Sequence, residues 1–204
     1  PRELKLFVAA SLALGVAFSM FDATFNNFLD ERFALTGFQR SFLEFPRELP
    51  GFLVVFVSAG LWFLCSRRLG AASLALGVVG ALAIGFISPT YTFLILWLFI
   101  YSLGQHMFMP VASTIGMELA REGKTGQRLG QLNAVRNLAA ILGAFTVMVG
   151  FRYLDFSFSF IFLLVAIALA VAVYLMYSMR PTRPQRPKTF FTLHREYNLF
   201  YALN

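Results

Sequence analysis

The sequence predicts an all-α membrane protein of six transmembrane helices, and three observations carry the prediction. Hydrophobic residues make up 58% and charged residues 13% of the 204-residue chain, against roughly 45–50% and 25% in a soluble domain. Six apolar runs recur along it, each close to the roughly 20 helical residues that cross a hydrocarbon core ~30 Å thick. Residues 91–120 cover that thickness yet carry polar groups on one side at mid-depth. Such a helix faces a bundle interior or a wet path rather than acyl chains.

Charge and cysteine content narrow the class further. The formal net charge is +7, and most basic residues fall between the apolar runs, which suits anionic lipid headgroups; no aromatic-basic module for nucleic acid is present. The lone Cys65 excludes an internal disulfide framework and any multi-cysteine metal site. The first apolar run is too long for a secretory signal and lacks a small-residue cleavage site, so it is counted as a permanent span.

Taken in order, span one covers residues 4–29 and brings Ser11, Gly15, Asp22 and Asn26 into a sector of about 60°. Asp22 is the costliest residue on it. A loop over 30–40 leads to span two, 41–64, where Glu44 and Glu48 stand one turn apart and Arg47 can pair with Glu44. Pro46 and Pro50 are expected to bend or unwind this end, near the outer headgroup level. Arg67 and Arg68 then close span two in a short turn. Span three, 69–88, has no charge and repeats Ser73, Gly77, Ala81 and Gly85 at four-residue spacing, a ridge that lets another helix come close.

Span four holds Ser102, His106, Met109, Ser113 and Gly116 on one side with Gln105 at its border, and Pro110 adds a kink. The polar loop 121–128 precedes span five, 129–150, which carries Asn133 and Asn137 one turn apart and Arg136 at the edge of that face. Span six, 156–179, is nearly all apolar. Residues 1–180 thus form one transmembrane domain. Residues 181–204 read as a basic, proline-rich cytoplasmic linker and the start of a seventh helix, as expected of a piece of something longer.

An even number of spans puts both ends on one side, which collects Lys and Arg from the termini and from the 2–3 and 4–5 connections; only Arg32, Arg40 and Arg152 lie opposite. The positive-inside rule makes the termini cytoplasmic, in a multi-pass protein of a cell membrane such as the bacterial inner membrane.

The short basic turn with Leu69-Gly70 after Arg67-Arg68, the connection from Arg121-Glu122-Gly123 to Gly130 and the basic segment after span six resemble the N-terminal half of the major facilitator superfamily. The family's acidic signature residue is replaced by Ser66 or Arg67, and its later basic pair by Ala71-Ala72. The resemblance implies two inverted three-helix repeats, with spans one and four as counterparts, spans three and six peripheral and a binding site near the midplane. It also implies a secondary transporter that works by alternating access with a C-terminal six-helix half. No cofactor, metal or nucleic acid is expected, and the partners are a small-molecule substrate, the missing half and the bilayer.

The candidate substrate-binding residues are Asn26, Ser102, Gln105, His106, Met109, Ser113, Asn133, Arg136 and Asn137. Asp22 is the candidate proton-coupling group, with sodium coupling through Asp22 and Asn26 as the alternative; Glu44, Arg47 and Glu48 are the candidate gate. Plainer roles stand beside these: a hydrogen bond from His106 to a neighbouring helix, an Asp22–Arg47 ion pair, a snorkelling Arg136 and an interfacial Glu118. A non-transporting receptor or scaffold would use the same helices. An intramembrane hydrolase could use His106 with Ser102 or Ser113, but no G-x-S-x-G or HExxH motif occurs.

Overall fold

The computed structural model describes residues 2–182. Among them are six helices: α1 (Arg2–Phe33), α2 (Gly37–Gly60), α3 (Ser66–Phe86), α4 (Tyr91–Glu118), α5 (Thr125–Tyr153) and α6 (Phe158–Tyr177). By length and composition α1, α3, α4, α5 and α6 can each cross a membrane. At 24 residues α2 is long enough, but Arg40, Glu44, Arg47 and Glu48 keep it outside that set. Most of the linker segment expected at 181–204 lies outside the described residues.

The expected boundaries change at both ends of α2. It starts earlier than the apolar run because Thr36 and Gln39 form a capping box: the Thr36 hydroxyl accepts from the Gln39 N–H at 3.3 Å, and the Gln39 side chain accepts from the Thr36 N–H at 3.0 Å. Two otherwise unpaired donors are thereby satisfied. Pro46 and Pro50 do not unwind it. Each removes one backbone bond, but both rings are buried on the side of α4, the helix against which α2 packs. Arg67 and Arg68 open α3 instead of closing α2. Likewise α5 begins at Thr125, so half of the expected 4–5 loop is helical.

Helix packing runs in the order α2, α4, α3, α6, α1, α5, with a smaller α4–α5 contact. Small residues set the closest approaches. The ridge on α3 is where α4 and α6 both dock: a Cβ on Gly104 would stand 2.7 Å from the Gly77 nitrogen, and Ser159 of α6 donates to the Gly85 carbonyl at 2.8 Å. On the other side, Ser19 of α1 donates to the Ala140 carbonyl of α5 at 2.6 Å. An aromatic cluster fills the centre, with Phe21 stacked on Tyr101 at 3.9 Å between centroids and edge-on to Phe162 at 5.8 Å. That cluster ties α1, α4 and α6 together.

The surface divides into two kinds. On α3 and α6 the exposed side chains are apolar, among them Val79, Phe86, Ile167 and Val171. On α1, α2, α4 and α5 the exposed surface is mixed: Asp22, Asn26, Glu44, Glu48, Ser113, Asn133 and Asn137 are exposed, beside exposed apolar side chains such as Phe45, Phe52, Leu138 and Ile141.

Candidate functional site

Charged side chains of three helices meet at mid-helix on the exposed polar face of the bundle. Arg47 of α2 lies between two carboxylates, with Nη2 3.7 Å from Asp22 Oδ1 of α1 and Nη1 3.7 Å from Glu44 Oε1. One turn further, His106 Nε2 of α4 is 3.8 Å from Glu48 Oε2. The imidazole lies flat against α2 because position 51 is glycine: a Cβ there would be 3.0 Å from His106 Nδ1. Asp22, Arg47 and Glu48 are each about three helical turns from the α1–α2 connection. The Glu44–Arg47–Glu48 group thus stands along the body of α2 rather than at its end. Proline content had suggested a frayed end, and the helix instead continues through both prolines.

Beneath this group sits Tyr101, which sequence reasoning missed. Only 2% of it is exposed, its hydroxyl has no hydrogen-bond partner among the described residues, and the charges of Asp22 and Arg47 both act on it. A tyrosine at the centre of an apolar span, next to Ser102 in sequence, was the available signal, since its polar tip needs a partner once buried. Ser102 itself is buried and donates to the Arg47 carbonyl. It joins α4 to α2 rather than facing open space.

A second grouping lies between α1, α4 and α5, nearer the opposite end of the bundle. Here a cavity of about 470 Å³ is lined on its polar side by Ser11, Met109, Ser113, Asn133 and Arg136. Arg136 donates to Asn133 Oδ1 at 2.6 Å. Pro110 has no N–H for the His106 carbonyl one turn earlier, although α4 continues through it to Glu118. Of the sequence candidates, the cavity gathers Met109, Ser113, Asn133 and Arg136, and the charged cluster gathers Asp22, Glu44, Arg47, Glu48 and His106. Asn26 and Asn137 are exposed on α1 and α5, and Gln105 is half-buried; none of these three lines the cavity.

The base of the bundle is tied separately. Buried Arg67 pairs with Glu118 at 3.6 Å and donates to the Arg180 carbonyl, while Ser66 reaches the same carboxylate at 3.2 Å. Arg68 donates to the Tyr177 carbonyl at 2.7 Å and lies 3.8 Å over the Tyr177 ring. Basic groups at a helix C-terminus satisfy its last carbonyls. Glu118, expected as an interfacial or loop-anchoring charge, thus locks the start of α3 to the end of α4.

No family model and no curated protein matches the sequence. Among solved structures, the chain is similar to an auto-inhibited peptide transporter of the POT family, with a TM-score of 0.70 and 14% sequence identity. The alignment covers 93% of this chain but 40% of that one, so the chain spans less than half of the transporter's length. Identity this low speaks for the fold alone: the chain is a multi-pass helical membrane protein whose helices are arranged as in part of that structure.

Proposed function

We propose that this chain is the N-terminal six-helix half of a secondary active transporter that moves a small solute by alternating access, coupled to protons through Asp22. One observation carries the reading. Asp22, Glu44 and Glu48 are exposed at mid-helix on a bundle whose α3 and α6 faces are apolar. A charge at bilayer centre costs about 2.5–3.5 kcal/mol on the insertion scale, so this polar face belongs against water or a second protein domain, and the α3 and α6 faces belong against lipid. Alternating access supplies both, as a cavity between two halves.

Helix pairing supports the inverted-repeat architecture. Exchanging α1 with α4, α2 with α5 and α3 with α6 turns the contacts α1–α5 and α1–α6 into α4–α2 and α4–α3, and leaves α3–α6 unchanged. In such repeats the binding site lies near the midplane. Asp22 is the proton-coupling group, Glu44, Arg47 and Glu48 form the gate, and the residues of α1, α4 and α5 named above line the path. Sodium coupling through Asp22 and Asn26 remains an outcome of the test below. The termini are cytoplasmic in a cell membrane, and residues 181–204 lead to the second half. A hydrolase is disfavoured by the serines themselves, since Ser102 donates to the Arg47 carbonyl and Ser113 to that of Met109, while His106 turns to Glu48.

Flux separates a carrier from a receptor or scaffold. The complete protein in liposomes is expected to catalyse counterflow of solutes that raise its thermal stability, and the 204-residue chain alone to give no saturable, gradient-coupled uptake. Absence of counterflow with every stabilising solute would leave a receptor. Topology is checked in the same preparation with Cys65→Ser as background: thiols introduced at exposed positions within 121–127, or within 181–188, should react only from the cytoplasmic side. Labelling of 181–188 from outside would overturn the orientation. Arg67 is too buried to serve as a reporter.

A further inference from the structure

The cavity between α1, α4 and α5 has an imbalance of hydrogen-bonding groups that points to the chemistry of its occupant. Its one charged side chain, Arg136, lies about three turns inside α5. Among the described residues no carboxylate pairs with it. Its hydrogen bond to Asn133 Oδ1 uses one N–H of a guanidinium that has five, and it also occupies the asparagine's acceptor, leaving the Asn133 amide N–H groups free to donate. Ser11 gives its proton to the Phe7 carbonyl at 2.8 Å and Ser113 to the Met109 carbonyl at 3.3 Å, so each hydroxyl oxygen is left only to accept, and neither carries a charge that could neutralise the arginine. The donors left at the polar wall are therefore the remaining N–H groups of Arg136 and the Asn133 amide, around a positive charge with no carboxylate partner among the described residues. Phe7, Leu14, Phe108 and Leu132 form the apolar wall.

We propose that this cavity binds an amphipathic organic oxyanion, with its carboxylate or phosphate on Arg136 and Asn133 and its apolar body against α1 and α4. The proposal deepens the transporter reading and rests on it for the identity of the occupant as cargo. A volume of about 470 Å³ falls within the ~300–1,000 Å³ of small-molecule sites. Arginine suits the task because its planar fork meets two oxygens of a carboxylate or phosphate at once, and it keeps its charge at any working pH. A soluble organic acid and an anionic lipid headgroup share this chemistry.

The test measures the charge preference without needing to know the solute. In the complete protein, carrying Cys65→Ser and Ser113→Cys in phosphatidylcholine nanodiscs, the new thiol is reacted with 2-sulfonatoethyl methanethiosulfonate and with its trimethylammonium counterpart. Relative to a free thiol in solution, the anionic reagent should be favoured by roughly tenfold, as one full charge at close range in a partly desolvated cavity implies. Arg136→Gln should abolish the preference and Arg136→Lys should keep most of it. Met109→Cys provides a second reporter should Ser113→Cys fold poorly. Protection of the thiol by 4-phenylbutyrate but not 4-phenylbutylamine, lost in Arg136→Gln, identifies an organic acid. Protection by added phosphatidylglycerol, lost in the same variant, identifies a lipid headgroup as the source of the oxyanion. Equal rates for both reagents, a preference that survives Arg136→Gln, or a thiol that neither reagent reaches from either side would overturn the proposal. Failure of counterflow, whatever the charge preference, would instead remove the transporter reading.

Discussion

Replacing Asp22 by asparagine should abolish uphill uptake driven by a pH gradient while leaving counterflow exchange within about twofold of wild type. One proton carried per solute sustains about tenfold accumulation per pH unit, since a tenfold ratio corresponds to 1.4 kcal/mol. The variant should stop at an accumulation ratio of one. Asparagine matches aspartate in size and can still present a side-chain oxygen toward Arg47, which lies 3.7 Å from Asp22, but it cannot bind and release a proton. Exchange of solute across the membrane needs the rocking motion without net proton movement, so it survives. On the proposed gate, protonation would couple to motion through Arg47, which is shared between Asp22 of α1 and Glu44 of its own helix: its departure from Asp22 would change which form of the carboxyl is favoured. A variant that still concentrates solute at the wild-type rate would make Asp22 a structural partner of Arg47 and send the search for the coupling group elsewhere. Repeating the assay with a sodium gradient at fixed pH distinguishes the two coupling ions.

The second large effect concerns stability. Gly104→Ala should lower the thermal midpoint of the purified protein by roughly 5–10 °C, from an overpacking cost of about 2–3 kcal/mol. At this point α4 lies on the α3 backbone: the added methyl would stand 2.7 Å from the Gly77 nitrogen, closer still to the Ser73 carbonyl oxygen, and 3.2 Å from Leu76 Cβ. Two of those three neighbours are main chain of a packed helix, so no side-chain rotation relieves them. Gly126→Ala is the matched control. Nothing lies within 4 Å of its Cβ position, in the first turn of α5, and helix propensity should make it neutral or stabilising by up to about 1 kcal/mol. Equal midpoints for the two variants in the same scan would show that α3 and α4 are further apart than described.

Helical periodicity made much of this architecture legible. The four-residue ridge on α3 is a contact surface because small side chains at that spacing leave a groove on any helix, and both α4 and α6 occupy it. The stripe on α4 was harder to apportion. Angular position alone cannot say whether a polar residue meets a neighbouring helix or a cavity, and the structure divides them: Ser102 and His106 turn to α2, while Met109 and Ser113 face the cavity with α5. The start of α2 was misread because the Thr36–Gln39 box is polar and glycine-containing, the composition of a loop, and its meaning lies in the three-residue spacing. Tyr101 went unnoticed since an aromatic residue in an apolar span attracts no attention until its neighbours are known. The stacking of Phe21 on Tyr101, eighty residues apart in the chain, brings the Asp22 charge near its hydroxyl.

The polarity of α2 bears on how the protein is made. On the six-span reading proposed above, each charge at the centre of a nascent span raises its insertion cost by about 2.5–3.5 kcal/mol, and α2 would reach the translocon with Glu44, Arg47 and Glu48 in one stretch. Its first partner is already waiting: α1 precedes it in synthesis, and Asp22 is the carboxylate that Arg47 meets in the finished structure. The α1–α2 hairpin can therefore enter as a unit with that pair formed. Glu48 and the exposed main chain around Arg47 have no such early relief, because His106 and Ser102 belong to α4 and are translated some fifty residues later. Release of α2 into lipid before α4 emerges would strand those groups, so biogenesis favours a translocon that retains the first hairpin until the fourth helix arrives.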